Sequence, residues 1–142
     1  MLSRGQTHRN SCEYPAQNNV SCSPMSADTA AALTGAGILD KRRQAREQHD
    51  HLRRAMMLEP RGHADMYGGF LVPPDDDGAD LGVLFWHKDG FSTACGHGTI
   101  ALGVWAVESG RIPRQDSGTR EVVIDVPSGR VRARVRFEGG EV

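Results

Sequence analysis

At 142 residues, 38% of them apolar and 25% charged, the chain has the length and composition of one soluble globular domain. Seventeen Lys and Arg against 18 Asp and Glu give a formal net charge of -1. That balance carries no electrostatic footprint of nucleic-acid or anionic-membrane binding and points instead to a small-molecule ligand.

No apolar run approaches the roughly 20 residues that span a bilayer. The start, MLSRGQTHRNSCEYPAQ, lacks the apolar core of a secretory signal, so a cytoplasmic location is expected. Three cysteines, Cys12, Cys22 and Cys95, show no C-x-x-C spacing, which argues against a disulfide framework and a structural zinc site.

Residues 1–36 show no sustained periodicity, cluster Asn, Ser and Pro, and end in TAAALTGAG; they read as a disordered or atypical N-terminal segment. The globular unit is expected over 37–142. Asp40 reads as the cap of an amphipathic helix running through KRRQAREQHDHLRRAMMLEP, with Ala45, Leu52 and Met56 on its inner stripe, Ala55 alongside, and Pro60 beyond its end.

Two strand-like runs follow, MYGGFLVP from Met66 and DLGVLFWH from Asp80, joined by the turn-forming PDDDGA. Residues 97–109 read as a buried helix, with Ile100, Val104 and Val107 on one stripe and Gly110 as its left-handed cap. The remainder is β: REVVIDV, a PSG turn, then RVRARVRF. In that last run Val131, Ala133, Val135 and Phe137 face inward and the four alternating arginines face solvent.

The chemistry concentrates in ACGHGT. With Cys95 at the N-cap and Gly96, His97 and Gly98 in the first turn, up to four backbone N–H groups are unpaired, and small glycines admit a ligand closely. A carboxylate docks at such a helix end without an arginine. The same field favours negative charge on a sulfur placed there, so Cys95 is suited to taking the proton from the carbon that bears the carboxylate.

Other readings of the same residues stand beside this one. Cys95 is a covalent nucleophile activated by His97, although side chains two apart on a helix diverge; or Cys95 is a buried structural cysteine. A metal set of His63, Asp65, Cys95 and His97 fits no standard zinc spacing, and none is expected.

The stretches EPRGHADMYGGFLVPP and ADLGVLFWHKDGFSTACGHGTIALGVWAVESG resemble the first half of the proline racemase family, which includes proline racemase, 4-hydroxyproline 2-epimerase and trans-3-hydroxy-L-proline dehydratase. The resemblance runs from about Ile38 to the C-terminus. It implies an α/β (α+β) chain forming one half of a diaminopimelate epimerase-like fold, a curved mixed sheet around a central helix that begins at Cys95.

By the same resemblance, Cys95 matches the catalytic cysteine, the backbone N–H groups of Gly96 and His97 match positions holding the substrate carboxylate, and Tyr67 matches an aromatic position packing on the substrate ring. Arg61, His63 and Asp65 are placed near the site or in structural ion pairs. The implied chemistry needs no cofactor, the helix end doing what pyridoxal phosphate does elsewhere.

Racemases and epimerases of the family place a second cysteine opposite the first, and dehydratases typically place a threonine there. That second half is not expected in this sequence, nor is the family's usual His-Thr-Gly-Glu-Pro-like start. Ser92-Thr93 before Ala94-Cys95 resembles the dehydratase members. The implied activity is therefore dehydration of trans-3-hydroxy-L-proline to a pyrroline carboxylate, with racemisation of proline or 2-epimerisation of 4-hydroxyproline as the alternative. A truncated, non-catalytic remnant is a third reading, and a homodimer would present Cys95 twice.

Overall fold

The computed structural model describes residues 33–142; expectations for residues 1–32, including Cys12 and Cys22, lie outside the described residues. Two helices, α1 (Ile38–Gln48) and α2 (Asp50–Met57), precede strands β1 (Gly68–Val72), β2 (Leu81–His87) and the short β3 (Gly90–Phe91). Helix α3 (Gly96–Glu108) and the hairpin of β4 (Ser117–Val126) and β5 (Gly129–Glu138) complete the order.

The sheet is mixed. β1 lies antiparallel to β2, with Gly68 opposite Trp86 and Val72 opposite Gly82. The other edge of β2 is shared: β4 runs parallel to its start, Leu81 opposite Ile124, and β3 pairs antiparallel with its end, Trp86 opposite Phe91. β5 closes the far side along the full length of β4. The expected α+β class with a mixed sheet is thus observed.

β2 reads as an unbroken apolar run because it is covered on both faces, and Leu81 to Trp86 are all buried. On one face Leu81, Val83 and Phe85 join Leu102, Ala106 and Val107 of α3 and the inward residues of β4 and β5. On the other, Leu84 and Trp86 join Phe70, Val72, Leu33 and the α1–α2 residues Ala45 and Met57. Leu33 is buried in this second cluster, so packing starts ahead of the first helix.

Three expectations are corrected here. The single helix over 40–59 is two, broken at His49, whose backbone leaves the helical region, and the deepest residue of the second is Met57 rather than Met56. Asp40 does not cap: Gly37 holds the N-cap position, and Asp40 instead pairs with Arg43 one turn on. Helix α3 is buried only on its sheet-facing side, through Gly98, Leu102, Gly103, Ala106 and Val107, while Ile100 is 64% exposed. The helix is apolar all round, so composition did not indicate which side meets the sheet.

The hairpin matches expectation, with Ala133, Val135 and Phe137 buried and the intervening arginines outward. Those arginines are neutralised locally. Arg132 and Arg134 share Glu121, Arg136 meets Glu138, and Arg130 meets Asp76 and the buried Asp125. Gly110, at φ +76, follows the helix as expected.

Asp125 fastens the β1–β2 connection to the hairpin: its carboxylate accepts from Arg130 Nε at 2.7 Å and from the Asp75 backbone N–H at 2.9 Å. Burial works against its ionisation, but these bonds outweigh it and hold the carboxyl below its ordinary value of 3.8. A depressed folded-state value means stabilisation that is complete above the unfolded value and lost as pH falls through the folded one. Asp125→Asn should therefore lower stability at pH 7 by about 2 kcal/mol and narrow the difference from wild type below about pH 3. Urea midpoints followed by circular dichroism at the two pH values measure this; a deficit that does not shrink in acid would contradict it.

Candidate active site

Cys95 stands at the N-cap of α3 in extended backbone, φ -149 and ψ 110. Its Sγ accepts the backbone N–H of Gly98 at 3.3 Å, and its carbonyl accepts the Thr99 N–H at 2.9 Å and the Thr99 hydroxyl at 2.8 Å. Among the described residues the N–H groups of Gly96 and His97 find no acceptor, as is usual for the first two helical donors. The thiol is free and half-buried. Sulfur and two unpaired donors therefore share one helix end, as the sequence suggested.

The two glycines differ in purpose. A Cβ on Gly96 would meet open space, which leaves the helix end accessible. A Cβ on Gly98 would sit 2.5 Å from Phe85 Cε1 and 3.2 Å from Cys95 Sγ. Gly98 is thus small because α3 lies directly on Phe85, not because a ligand must approach it. Farther along, Gly103 meets Ala133 of β5 just as closely, so small residues set the helix-to-sheet distance at two points.

The loop into Cys95 is tied down on both sides. Ser92 donates its N–H to the Phe85 carbonyl at 2.9 Å, extending the β2–β3 pairing, and the Thr93 carbonyl accepts from Ser128 of the hairpin turn at 3.1 Å. From the opposite face, buried Arg53 donates to the His87 and Lys88 carbonyls at 2.9 and 2.7 Å while paired with Asp50, and Arg42 donates to the Phe91 carbonyl at 2.6 Å. The β2–β3 turn that leads into the site is therefore clamped by guanidinium groups of α1 and α2.

His97 is exposed, and the Cys95 sulfur is bonded to Gly98 rather than to its imidazole, so the geometry does not assemble a Cys–His nucleophile pair. Arg61, His63 and Asp65 are exposed and form no ion pair among the described residues; His63 Nδ1 accepts the Asp65 N–H inside a tight turn. The ion-pair role suggested for them is not observed. Among the described residues no three His, Cys, Asp or Glu side chains converge to hold a metal, so the four-residue metal set is not assembled.

Tyr67 precedes β1, opposite the end of β2, and its ring lies 5.3 Å from that of His87. Alternation puts both on the α3 face of the sheet: Gly69 and Leu71 follow Tyr67 on that side, and Phe85 precedes His87. Sequence reading missed His87. The period of two in LGVLFWH, which aligns His87 with Phe85, was the available signal. Ser92 Oγ, opposite Phe85, is buried and finds no hydrogen-bond partner among the described residues.

The family model for proline racemase matches residues 26–142. A trans-L-3-hydroxyproline dehydratase of Xenopus tropicalis is 49% identical over 111 residues, covering 78% of this chain and 32% of that protein. A 3-hydroxyproline 2-epimerase of Burkholderia multivorans is 50% identical over 107 residues, 75% of this chain and 32% of its own. The chain thus spans about a third of the length of the curated relatives it matches.

Among solved structures, a hydroxyproline epimerase from Agrobacterium vitis with bound trans-4-hydroxy-L-proline superposes with a TM-score of 0.69 at 24% identity, over 77% of this chain and 32% of that one. That likeness establishes the shared fold. No helix among the described residues is long and apolar enough to cross a membrane.

The glycine contacts yield a direct test. Gly98→Ala should lower the melting temperature by several degrees, since overpacking a helix–sheet contact costs about 1–3 kcal/mol. Gly96→Ala, entering open space on a helix, should leave it unchanged or slightly raised. Equal effects in a thermal melt of the two variants would contradict the assigned packing.

Proposed function

Because the chain belongs to the proline racemase family, we propose that the Cys95 end of α3 is one side of a site for cofactor-independent abstraction of the α-proton from proline or a hydroxyproline. The reaction that fits best is dehydration of trans-3-hydroxy-L-proline. The observation that carries this reading is the coincidence of a half-buried free thiol with two unpaired backbone donors at one helix end.

In this reading the substrate carboxylate takes the N–H groups of Gly96 and His97, which draws the α-carbon toward Cys95 Sγ. The helix end also favours the negative charge that develops on the carboxylate as the proton leaves. The thiolate takes the α-proton, the C–H electron pair becomes the double bond between the α- and β-carbons, and the C3–O bond breaks. Hydroxide leaves and takes a proton from solvent to become water, and the Cys95 thiol returns its proton to solvent. The ring rests on Tyr67.

The dehydratase assignment is supported by the name of the Xenopus relative and by Ser92-Thr93 ahead of the cysteine. The equally similar epimerase favours a second reading, in which the α-carbon is reprotonated from its other face and the configuration inverts. Both share the first step and the same base. The ligand class is therefore a small cyclic amino acid in either case.

Proton NMR in D2O with L-proline, trans-4-hydroxy-L-proline and trans-3-hydroxy-L-proline tests this. Loss of the α-proton signal together with a new pyrroline species is expected from trans-3-hydroxy-L-proline, and both should vanish in Cys95→Ser, by about a thousandfold or more. Exchange without a pyrroline product would select the epimerase reading. Unchanged spectra with all three substrates would overturn the proposed reaction.

A further inference from the structure

Helix α1 carries Arg42 and Arg46 four residues apart, so both side chains rise from one face of the helix. Both line a cavity of about 450 Å³ that α1 and α2 form with the β2–β3 turn, and Asp50, Arg53, Asp89 and Phe91 contribute to the rest of its wall. That volume lies in the range of small-molecule sites. The two helices pack on the face of the sheet away from α3, so the reaction at Cys95 makes no use of this cavity.

The charges of the wall do not balance. Asp50 is committed to Arg53, whose Nε and Nη2 hold its two oxygens at 2.6 and 3.2 Å. Arg53 directs its remaining Nη1 to the His87 and Lys88 carbonyls. Asp89 is engaged by Lys88 Nζ at 2.9 Å. The positive charges of Arg42 and Arg46 are left over, since neither forms an ion pair among the described residues.

Arg42 is already set in place. Its Nη2 donates to the Phe91 carbonyl at 2.6 Å, a neutral acceptor that orients the guanidinium and leaves its charge uncompensated. Its Nε is buried and finds no hydrogen-bond acceptor among the described residues, an arrangement that is rare for a charged donor. Its Nη1 makes no hydrogen bond among the described residues either, but unlike Nε it is not shut away from solvent. Arg46 is exposed, and two like charges one helical turn apart repel.

We propose that this cavity binds a small phosphate-bearing anion, with the phosphate group between Arg42 Nη1 and the Arg46 guanidinium. An anion there neutralises the charge on both arginines and removes their repulsion. Phosphate suits the pair better than a carboxylate, because it presents three oxygens and carries close to two negative charges near neutral pH, so one group serves two guanidinium forks. The cavity is larger than the phosphate group alone, which leaves room for a second phosphate or a short organic portion.

Calorimetric titration of the full protein with pyrophosphate, at about 0.1 M salt so that distant surface charges are screened, tests this. Saturable binding is expected, weakened about tenfold or more in Arg42→Gln and in Arg46→Gln. It should stay within about twofold of wild type in Arg134→Gln, which removes the same charge from the outer face of the hairpin. Arg46 is exposed, so Arg46→Gln carries the test if circular dichroism shows that Arg42→Gln does not fold.

Absence of binding overturns the site, as does binding that Arg46→Gln leaves intact, the result expected if pyrophosphate takes the N–H groups of Gly96 and His97 instead. An equal loss in Arg134→Gln reduces the effect to net charge and also overturns it. Succinate binding as tightly as pyrophosphate overturns the choice of phosphate. Each of these outcomes leaves the reaction proposed at Cys95 standing.

Discussion

The contact of Gly98 with Phe85 is the constraint on which the arrangement turns. A helix of ordinary residues rests about 10 Å from a sheet because side chains stand between them. Here the first turn of α3 presents Gly98 to an aromatic ring, and a Cβ at that point would overlap Phe85 and crowd the sulfur. Gly103 on Ala133 repeats the device one turn and a half later. The helix is thereby seated close and at a fixed angle, and its N-terminal end, with Cys95, is set above the sheet rather than beside it. In the proposed reaction the placement of Cys95 therefore depends on this packing.

The opposite face of the sheet supplies the rigidity that such a site requires. Arg53 is buried, satisfied by Asp50 and by two carbonyls of the β2–β3 turn, and Arg42 reaches the Phe91 carbonyl. Removing either guanidinium would leave partly buried carbonyls without these donors. Because the β2–β3 turn carries His87 at one end and leads into the Cys95 loop at the other, helices α1 and α2 act on the site through the sheet without touching it. Lys41, also buried, ties α1 to the β1–β2 connection through the Pro73 carbonyl and Asp75 in the same way.

Local spacing revealed those parts of the molecule whose physics is local. The N-cap at Cys95, the turn at PDDDGA, the Gly110 cap and the alternation of RVRARVRF each depend on a few adjacent residues, and each is found in the structure. Features set by distant partners were not legible. Nothing in KRRQAREQHDHLRR marks a break, since it holds neither Gly nor Pro, yet α1 and α2 part at His49 as each packs on its own stretch of the β2–β3 ribbon. Gly98 looked like an opening for a ligand because Phe85 is thirteen positions away in sequence. Ile100 looked inward because a helix that is apolar on all sides gives no hint of its orientation. The contact of His87 with Tyr67 was not legible because the two lie on segments twenty positions apart.

The central claim is that the unpaired N–H groups beside Cys95 hold the carboxylate of a cyclic amino acid. The most direct measurement is a titration of the 15N-labelled Cys95→Ser protein, in which turnover is blocked, with trans-3-hydroxy-L-proline, following backbone amide shifts. The account predicts that the Gly96 and His97 amides move most and in step, with a smaller shift at Tyr67. Shifts centred instead on the cavity lined by Arg42, Arg46 and Arg53 on the other face of the sheet, with Gly96 and His97 unmoved at saturation, would contradict it.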